Sequence, residues 1–575
     1  MTDLEEPAAS QDDPVGDEPS TYREGRVLIH APSSKSGSPA AFMNPAMSFN
    51  RDLTVLVLHS FFSALNGTDD SSTGEDSSEG SAAGVPVRRW QGAPALLSSS
   101  NVTVLEPYAG TGLRSLRFAA EVPGIHHAVA NDLCGSAVTS IRANMALNKE
   151  STAGRMSVTR SDAADSLWQW RRGERGGKGA RVGCIDLDPF GSAAEVFPLA
   201  AESVCRDGLL CVTCTDIQAL CGGGGGSKST ACWARYGGMP MATKPRKEGA
   251  IRLVLNALNR AAALHGRSIL PLLSLSVDYY IRVYVQILEG GGGLVDSAIN
   301  TGMVATCPSC RQFDVMPAAS CRWGPKQWVL TPTTICGKER EDRCKCGAAK
   351  GDAARTLAGP MWIGPLHDKT FVRHLLSTLR DLKEQDQSAA NGMPVLTNRA
   401  ELEGLLTVIN EECSLDEPCP FFYHLEDIAY NMAHFQPPLR EMRAGLSRLG
   451  WSVSQSHTDP STLKTSAPFS VLLDVALAWA VSKGPEVLRQ IAQRAKSKWL
   501  RKEADEMLSN IELVGSRDLG ALSVCSERPD GSSDFVNVSR GSSRAEFAVK
   551  SKHTHVRRWL QRAKRVGPGA RPAKG

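Results

Sequence analysis

Short apolar runs that alternate with amphipathic stretches between residues 102 and 288 constrain this chain more than any other feature. Runs at 102–105, 127–130, 182–187 and 208–214 have the length of buried strands, and 113–121, 137–148, 193–205 and 248–265 carry helical spacing between them. Strands and helices in this order predict a parallel sheet with helices on its faces. Residues 269–288, rich in β-branched and aromatic side chains, read as sheet-edge strands. The expected fold class is therefore α/β and Rossmann-like, with residues 23–290 as the first ordered domain.

The first run opens into Glu106-Pro-Tyr-Ala-Gly-Thr-Gly112 and then a helix, and Asp132 ends the next strand twenty residues after Gly112. Gly110 and Gly112 allow a tight turn and close approach of a ligand to backbone N–H groups. A carboxylate at the end of the second strand accepts hydrogen bonds from ribose hydroxyls. A dinucleotide fingerprint would place glycine at 115, where this chain has Ser115, and that argues against a nicotinamide-dependent oxidoreductase. Glu106 before the glycines and Asp162 after the strand at 156–160 instead suit S-adenosylmethionine, although Asp162 alone reads equally as a helix cap.

Cys184-Ile-Asp-Leu-Asp-Pro-Phe-Gly191 is the most informative segment. An apolar strand ends in Asp188-Pro189-Phe190, which sets a carboxylate, a donor-free backbone and an aromatic face at the carboxyl edge of the sheet, where open α/β folds bind ligands. An exocyclic amine is a poor nucleophile because its lone pair is delocalised into the ring. Hydrogen bonds to Asp188 and a backbone carbonyl would pull it toward tetrahedral geometry, and Phe190 would stack on the extruded base. The bland alternative is a strand-ending Asp-Pro turn with a core phenylalanine.

With these blocks in place, the chain resembles the tRNA guanosine-26 N2-dimethyltransferase family over residues 23–470. The matching blocks are Glu24-Gly25, Phe42-Met-Asn-Pro45, Phe49-Asn-Arg-Asp52, Thr111-Gly-Leu-Arg114-Ser-Leu-Arg117-Phe, Asn131-Asp132, Asp186-Leu-Asp-Pro-Phe-Gly191, Thr213-Cys-Thr-Asp216, Pro271 through Arg282, and Gly359 through Asp368. The resemblance implies a class I S-adenosylmethionine-dependent methyltransferase domain, with methyl transfer to the N2 amine of tRNA guanosine. It implies Asp188 as the catalytic carboxylate, Phe42 and Phe190 framing the guanine, and Arg51, Arg114, Asp132 and Asp162 on the cofactor. Alone, Phe42 reads as a hydrophobic staple and Arg51 as a surface charge; Asp278 and Arg282 suit either the base pocket or a sheet-edge ion pair. The competing functions are methylation of another nucleobase amine and tRNA binding without turnover.

A cysteine-rich stretch, 307–346, opens the expected α+β tRNA-binding domain at 291–515. Cys307-Pro-Ser-Cys310 is a knuckle of the type that holds structural zinc, and Cys344-Lys-Cys346 supplies a second pair. The family's second pair is usually separated by two residues, so Cys321 or Cys336 is an alternative ligand, and four free thiols are the plain alternative. Residues 437–449 read as an amphipathic helix stopped by Gly450. Ser456-His457 and Lys464-Thr-Ser-Ala-Pro468 again resemble the family's RNA-binding domain, with His457 by itself a surface or capping residue.

The 575 residues suit roughly two to four domains. Residues 1–22 are acidic and read as a disordered tail, 67–84 as a low-complexity insertion, 221–230 as a glycine-rich mobile loop and 516–575 as a flexible tail. From 540 onward eleven Lys or Arg face the single Glu546, which suits contact with RNA or nuclear import, whereas the overall net charge of +4 says little. No apolar run reaches the ~18 residues of a membrane span. Sixteen cysteines without a secretory leader argue for thiols and metal rather than disulfides. The expected partner is tRNA, with no membrane and no obligatory protein partner. The chain is expected to act as a monomer in the nucleus, with mitochondrion, plastid or cytoplasm as alternatives.

Overall fold

The computed structural model describes residues 21–30, 44–63, 90, 102–172, 182–222, 226–290, 292–323, 328–333, 355–385, 393–415, 419–496, 498–514, 523–527 and 533–537. Its strands in chain order begin with the antiparallel pair β1 (Thr21–Glu24) and β2 (Val27–His30). Then come β3 (Thr103–Glu106), β4 (His127–Asp132), β5 (Met156–Arg160), β6 (Val182–Leu187), β7 (Val204–Cys214), β8 (Arg267–Val277) and β9 (Tyr280–Glu289). These last seven form one sheet in the order β5-β4-β3-β6-β7-β9-β8, parallel from β5 through β7 and closed by the antiparallel β8–β9 hairpin. Strand order reverses direction at β3, because β4 and β6 lie on its two sides. That reversal opens a crevice at the strands' carboxyl ends, the usual ligand position in such sheets.

Period-two alternation builds the two faces. Val104, Cys184, Leu209 and Cys211 join a core with the buried helix Ser48–Ser63 and the helices Lys369–Gln385 and Arg399–Glu412. Their neighbours Leu105, Ile185, Leu210 and Val212 point the other way, onto Phe197, Ala200 and the helix Arg246–Ala263. Strands buried on both faces read as continuous apolar runs, which is why they stand out in the sequence.

Beyond β9 the strands are β10 (Thr301–Thr306), β11 (Phe313–Pro317), β12 (Ala319–Trp323), β13 (Trp328–Pro332), β14 (Thr356–Trp362), β15 (Tyr423–His424), β16 (Ser454–Ser456) and β17 (Asp459–Lys464). They make small antiparallel sheets, β11-β10-β14, β12-β13 and β15-β17-β16. A third core gathers the helices Leu439–Arg448, Phe469–Val481 and Pro485–Arg494 around Leu446, Leu472 and Ile491.

Several expectations differ from the structure. Thr21 and Tyr22, expected to belong to the acidic tail, are in strand β1 and pair with His30 and Ile29. The glycine-rich run 221–230, expected to be a loop, is taken up in its second half by the helix Gly226–Tyr236, which buries Cys232 and Tyr236. Within 516–575, strands Ser523–Glu527 and Ser533–Asn537 pair antiparallel. The insertion 67–84 and the basic arm from 540 lie outside the described residues.

His457 and Lys464 are neither on the surface nor free to meet RNA. Lys464 Nζ lies 3.1 Å from Glu248 Oε2 and 3.1 Å from Glu412 Oε2, and His457 Nδ1 lies 2.8 Å from Glu412 Oε1. Arg252 Nη2 reaches the other oxygen of Glu248 at 2.7 Å. Glu248 belongs to the sheet-covering helix Arg246–Ala263 and Lys464 to β17, so the chain joins its two halves through buried charge. Buried charges of this kind are tolerated only as a fully paired set.

Candidate active site

The turn after β3 places the glycines at the switch point. Gly110 and Gly112 have φ of 55° and 76°, which side-chain-bearing residues rarely adopt. A Cβ at Gly112 would also sit 3.1 Å from Ile141. Asp132, ending β4, accepts from the backbone N–H of Gly110 at 2.9 Å and of Cys134 at 2.9 Å, one on each oxygen. Each oxygen keeps a lone pair for a further donor. Asp162 caps the helix Ala163–Arg171 by accepting from Ala164 N–H at 2.8 Å, the simpler of its two expected roles, and its side chain is exposed beside the crevice. Tyr108, which no sequence pattern singles out, has its hydroxyl pKa raised by burial and then by the charges of Glu195 and Asp162.

Glu106 is buried at the end of β3. Its Oε2 accepts from Ser115 N–H at 3.1 Å and from Ser115 Oγ at 2.5 Å, so Ser115 holds the carboxyl where a dinucleotide fold would have glycine. Burial, and then the nearby charge of Asp186, push its pKa up to about 8.

Asp188 follows β6 with its side chain 19% exposed. Arg114 Nη2 lies 2.6 Å from Asp188 Oδ2, and Arg114 also donates to Asn50 Oδ1 at 3.1 Å. Behind this pair, buried Arg282 Nη1 lies 2.7 Å from Asp186 Oδ1 and donates to Thr213 Oγ1 at 2.9 Å. Arg282 therefore pairs inward with Asp186 rather than at the sheet edge with Asp278. Burial alone would raise the Asp188 pKa. The positive charges of Arg114 and Arg282 and the Thr213 hydroxyl outweigh it and hold the group below the usual carboxylate range.

Arg51 and Arg114 both make contacts within the protein. Arg51 Nε and Nη2 clamp Glu24 at 2.7 and 2.6 Å, and Nη1 donates to the Asn44 carbonyl at 3.1 Å. Arg51 thus ties β1 to the segment that enters the first helix. Around Arg114, however, Asn50 Nδ2 is buried without a hydrogen-bond partner, and Arg114 Nη1 and Asp186 Oδ2, an ion pair 3.7 Å apart, are too distant to hydrogen-bond each other. Two donors and an acceptor beside Glu106 suit the zwitterionic end of an amino acid, so the residues fit an S-adenosylmethionine in this crevice.

Pro189 is half-buried and the Phe190 ring is 85% exposed at the crevice mouth. Gly191, with φ of 86°, turns the chain; its N–H donates to Thr215 Oγ1 at 2.8 Å and its carbonyl accepts from Thr215 N–H at 2.7 Å. Phe42, Cys344 and Cys346 lie outside the described residues. Cys307 and Cys310 are buried in a turn after β10, where Cys307 N–H donates to Gln312 O at 2.8 Å and Asn431 Nδ2 donates to Cys310 O at 2.9 Å.

His367, Glu412 and His457 form a separate buried group whose ligating atoms lie within 4.8 Å of one another. Ser274 N–H donates to His367 Nδ1 at 3.3 Å, and burial holds His367 neutral, so its proton sits on Nε2. That nitrogen is a donor rather than a ligand, and the Lys464 ammonium beside Glu412 further disfavours a cation.

The family described as TRM, N2,N2-dimethylguanosine tRNA methyltransferase, matches residues 25–477. The chain belongs to this family. It is 32% identical over 481 residues to the human tRNA (guanine(26)-N(2))-dimethyltransferase, covering 80% of this chain and 68% of that protein. It is 31% identical over 469 residues to the mitochondrial enzyme of that description from Saccharomyces cerevisiae, covering 78% of this chain and 77% of the relative. Among solved structures, Trm1 from Pyrococcus horikoshii in complex with S-adenosyl-L-methionine aligns with a TM-score of 0.57 and 23% identity, over 79% of this chain and 99% of that one. The family fold therefore extends over both halves of this methyltransferase. Among the described residues, no helix is long and apolar enough to cross a membrane.

Glu106 makes the apo protein sensitive to pH. A carboxyl with raised pKa binds its proton more tightly folded than unfolded, so stability falls as pH climbs from the ordinary 4.5 toward about 8. Glu106→Gln removes that penalty. The melting temperature of the variant relative to wild type should rise by a few degrees between pH 5.5 and 8.5 without cofactor; a constant difference would contradict the assignment.

Proposed function

We propose that this chain transfers methyl groups from S-adenosylmethionine to the exocyclic N2 of guanosine at position 26 of tRNA. The observation that carries the reading is Asp188, ionised by Arg114 at the crevice mouth and followed directly by Pro189 and the exposed ring of Phe190. The cofactor supplies an electrophilic methyl group on a sulfonium. Gly110 and Gly112 would admit it to the turn, Asp132 would accept from its ribose hydroxyls, and Asp162 would lie toward its adenine. Glu106, Arg114 and Asn50 would face its amino-acid end.

Asp188 and the Pro189 carbonyl would each accept one N–H of the target amine, turning the nitrogen lone pair out of conjugation. Phe190, with Phe42 opposite, would hold the extruded base flat. As positive charge grows on the nitrogen that attacks the methyl carbon, the fixed carboxylate of Asp188 offsets it without reorganising. The methylated nitrogen then becomes a strong acid, so even a carboxylate held low in pKa can take its proton. An acceptor that is ionised before the reaction serves it better than a stronger but partly protonated base.

Asp188→Asn should lower single-turnover methylation of unmodified tRNA by ~100-fold or more, the scale of a positioned acid–base group, with tRNA affinity nearly unchanged. Nucleoside mass spectrometry should locate N2-methylated guanosine at position 26. N6-methyladenosine as product would move the reading to another amine, and tRNA binding without any methylation would make the protein a non-catalytic binder.

For the second half of the chain, we propose that Cys307 and Cys310 hold structural zinc together with Cys344 and Cys346, and that this half and the basic arm bind tRNA in the nucleus. The buried knuckle after β10 supports the metal reading. The purified protein should contain about one zinc per chain, and Cys307→Ser should release it and lower the melting temperature; metal content unaffected by the substitution would remove the site.

A further inference from the structure

We propose that Tyr279 is a specificity-determining residue whose hydroxyl donates a hydrogen bond to O6 of the target guanine. The inference rests on the proposed function and deepens it. Val277 pairs with Tyr280 across the β8–β9 hairpin, so Asp278 and Tyr279 form its two-residue turn, with Asp278 at φ 48°. Strand β9 pairs with β7, Thr213 opposite Arg282 and Cys214 opposite Ile281. The hairpin tip consequently projects past the carboxyl end of β7, on the edge where Asp188 follows β6.

Two contacts fix the Tyr279 ring. It packs edge-on against buried Tyr280, with centroids 5.8 Å apart. Its oxygen accepts from Asn44 Nδ2 at 3.0 Å. Asn44 is itself immobilised, because its Oδ1 accepts from Ala46 N–H at 3.0 Å and its carbonyl accepts from Arg51 at 3.1 Å. The Asn44 amide thus presents its NH2 to Tyr279, which uses the tyrosine oxygen as acceptor and leaves the O–H proton to donate elsewhere. The charges of Asp278, Arg51 and Asp188 all act on this half-buried hydroxyl, in keeping with a position on the crevice that holds Asp188.

A guanine presents three groups in a row on its Watson–Crick edge: the N2 amine and N1–H, which donate, and O6, which accepts. Asp188 and the Pro189 carbonyl are acceptors and suit the amine end only. O6 needs a donor from the other side, and Tyr279 supplies a neutral one that is pre-oriented. A purine with an amine at position 6 would set donor against donor there. A site built to bond a substrate group discriminates strongly against analogues that lack it.

The test is a two-by-two cycle of enzyme and substrate with the full-length protein. Wild type and Tyr279→Phe are each given tRNA carrying guanosine or 2-aminopurine riboside at position 26, and N2-methylation is followed by mass spectrometry. Both the loss of the hydroxyl and the loss of O6 should lower kcat/KM by ~10-fold or more, the effect of one well-made hydrogen bond. Combining them should cost little beyond either alone, because the partner is already gone. The change at N1 that accompanies 2-aminopurine is common to both enzymes and cancels in the ratio. Independent, multiplicative losses would overturn the contact, as would a Tyr279→Phe variant with wild-type kinetics on guanosine. Wild type that methylates both substrates equally well would overturn it without any variant. If wild type methylates no guanosine, the proposed function itself falls; if it does and the losses multiply, only the role of Tyr279 falls.

Discussion

The ion pair between Arg114 and Asp188 is the contact on which the crevice depends. Without it, a carboxyl at the end of a buried strand would be driven toward its neutral form, and its oxygen would turn from acceptor to donor. Arg114 does not act alone. Asp186 and Arg282 lie behind it and continue the alternation of charge into the sheet, while Thr213 and Asn50 accept from Arg282 and Arg114. Each member limits the freedom of the next, so the position of Asp188 is set by residues from β6, β7, β9 and two helices. Such an array costs little at the moment of reaction because its dipoles are already oriented.

The sheet topology explains why these residues meet. Reversal of strand order at β3 opens the crevice, the left-handed glycines let the backbone turn under it, and β6 delivers Asp188 on its far side. The antiparallel β8–β9 hairpin then walls the crevice with Arg282 beneath and Tyr279 at the tip. On the opposite flank, the buried helix Ser48–Ser63 contributes Asn50 and Thr54 to the same network, and Arg51 anchors its entry to Glu24. The second half of the chain is locked to this domain through Glu248, Lys464 and Glu412, and the direction of their shifts, carboxylates down and ammonium up, reflects mutual pairing strong enough to overcome burial.

Much of the sheet was legible beforehand because doubly buried strands leave continuous apolar runs, and β3, β6 and β7 fall within a residue or a few of the runs at 102–105, 182–187 and 208–214. Asp188 and the glycine turn were legible for a related reason: they sit at strand ends, where sequence position determines spatial position. Arginine partners were not. Arg51, Arg114 and Arg282 reach residues 27, 74 and 96 positions away in the chain, to Glu24, Asp188 and Asp186, and no local pattern encodes such a pairing. His457 and Lys464 escaped for the same reason, since polar residues in a short hairpin look exposed until a helix from elsewhere covers them. The helix Gly226–Tyr236 shows the converse, with the glycine run masking the helical spacing of Cys232 and Tyr236.

The claim that Arg114 keeps Asp188 ionised is tested most directly by the pH dependence of single-turnover methylation in wild type and Arg114→Gln, at saturating cofactor and tRNA. The account predicts a wild-type rate that is flat down to the lowest pH at which the tRNA and the fold survive. In the variant an acidic limb should move upward by about one pH unit or more, equivalent to ~1.4 kcal/mol of lost charge stabilisation. Superimposable limbs in the two proteins would contradict it.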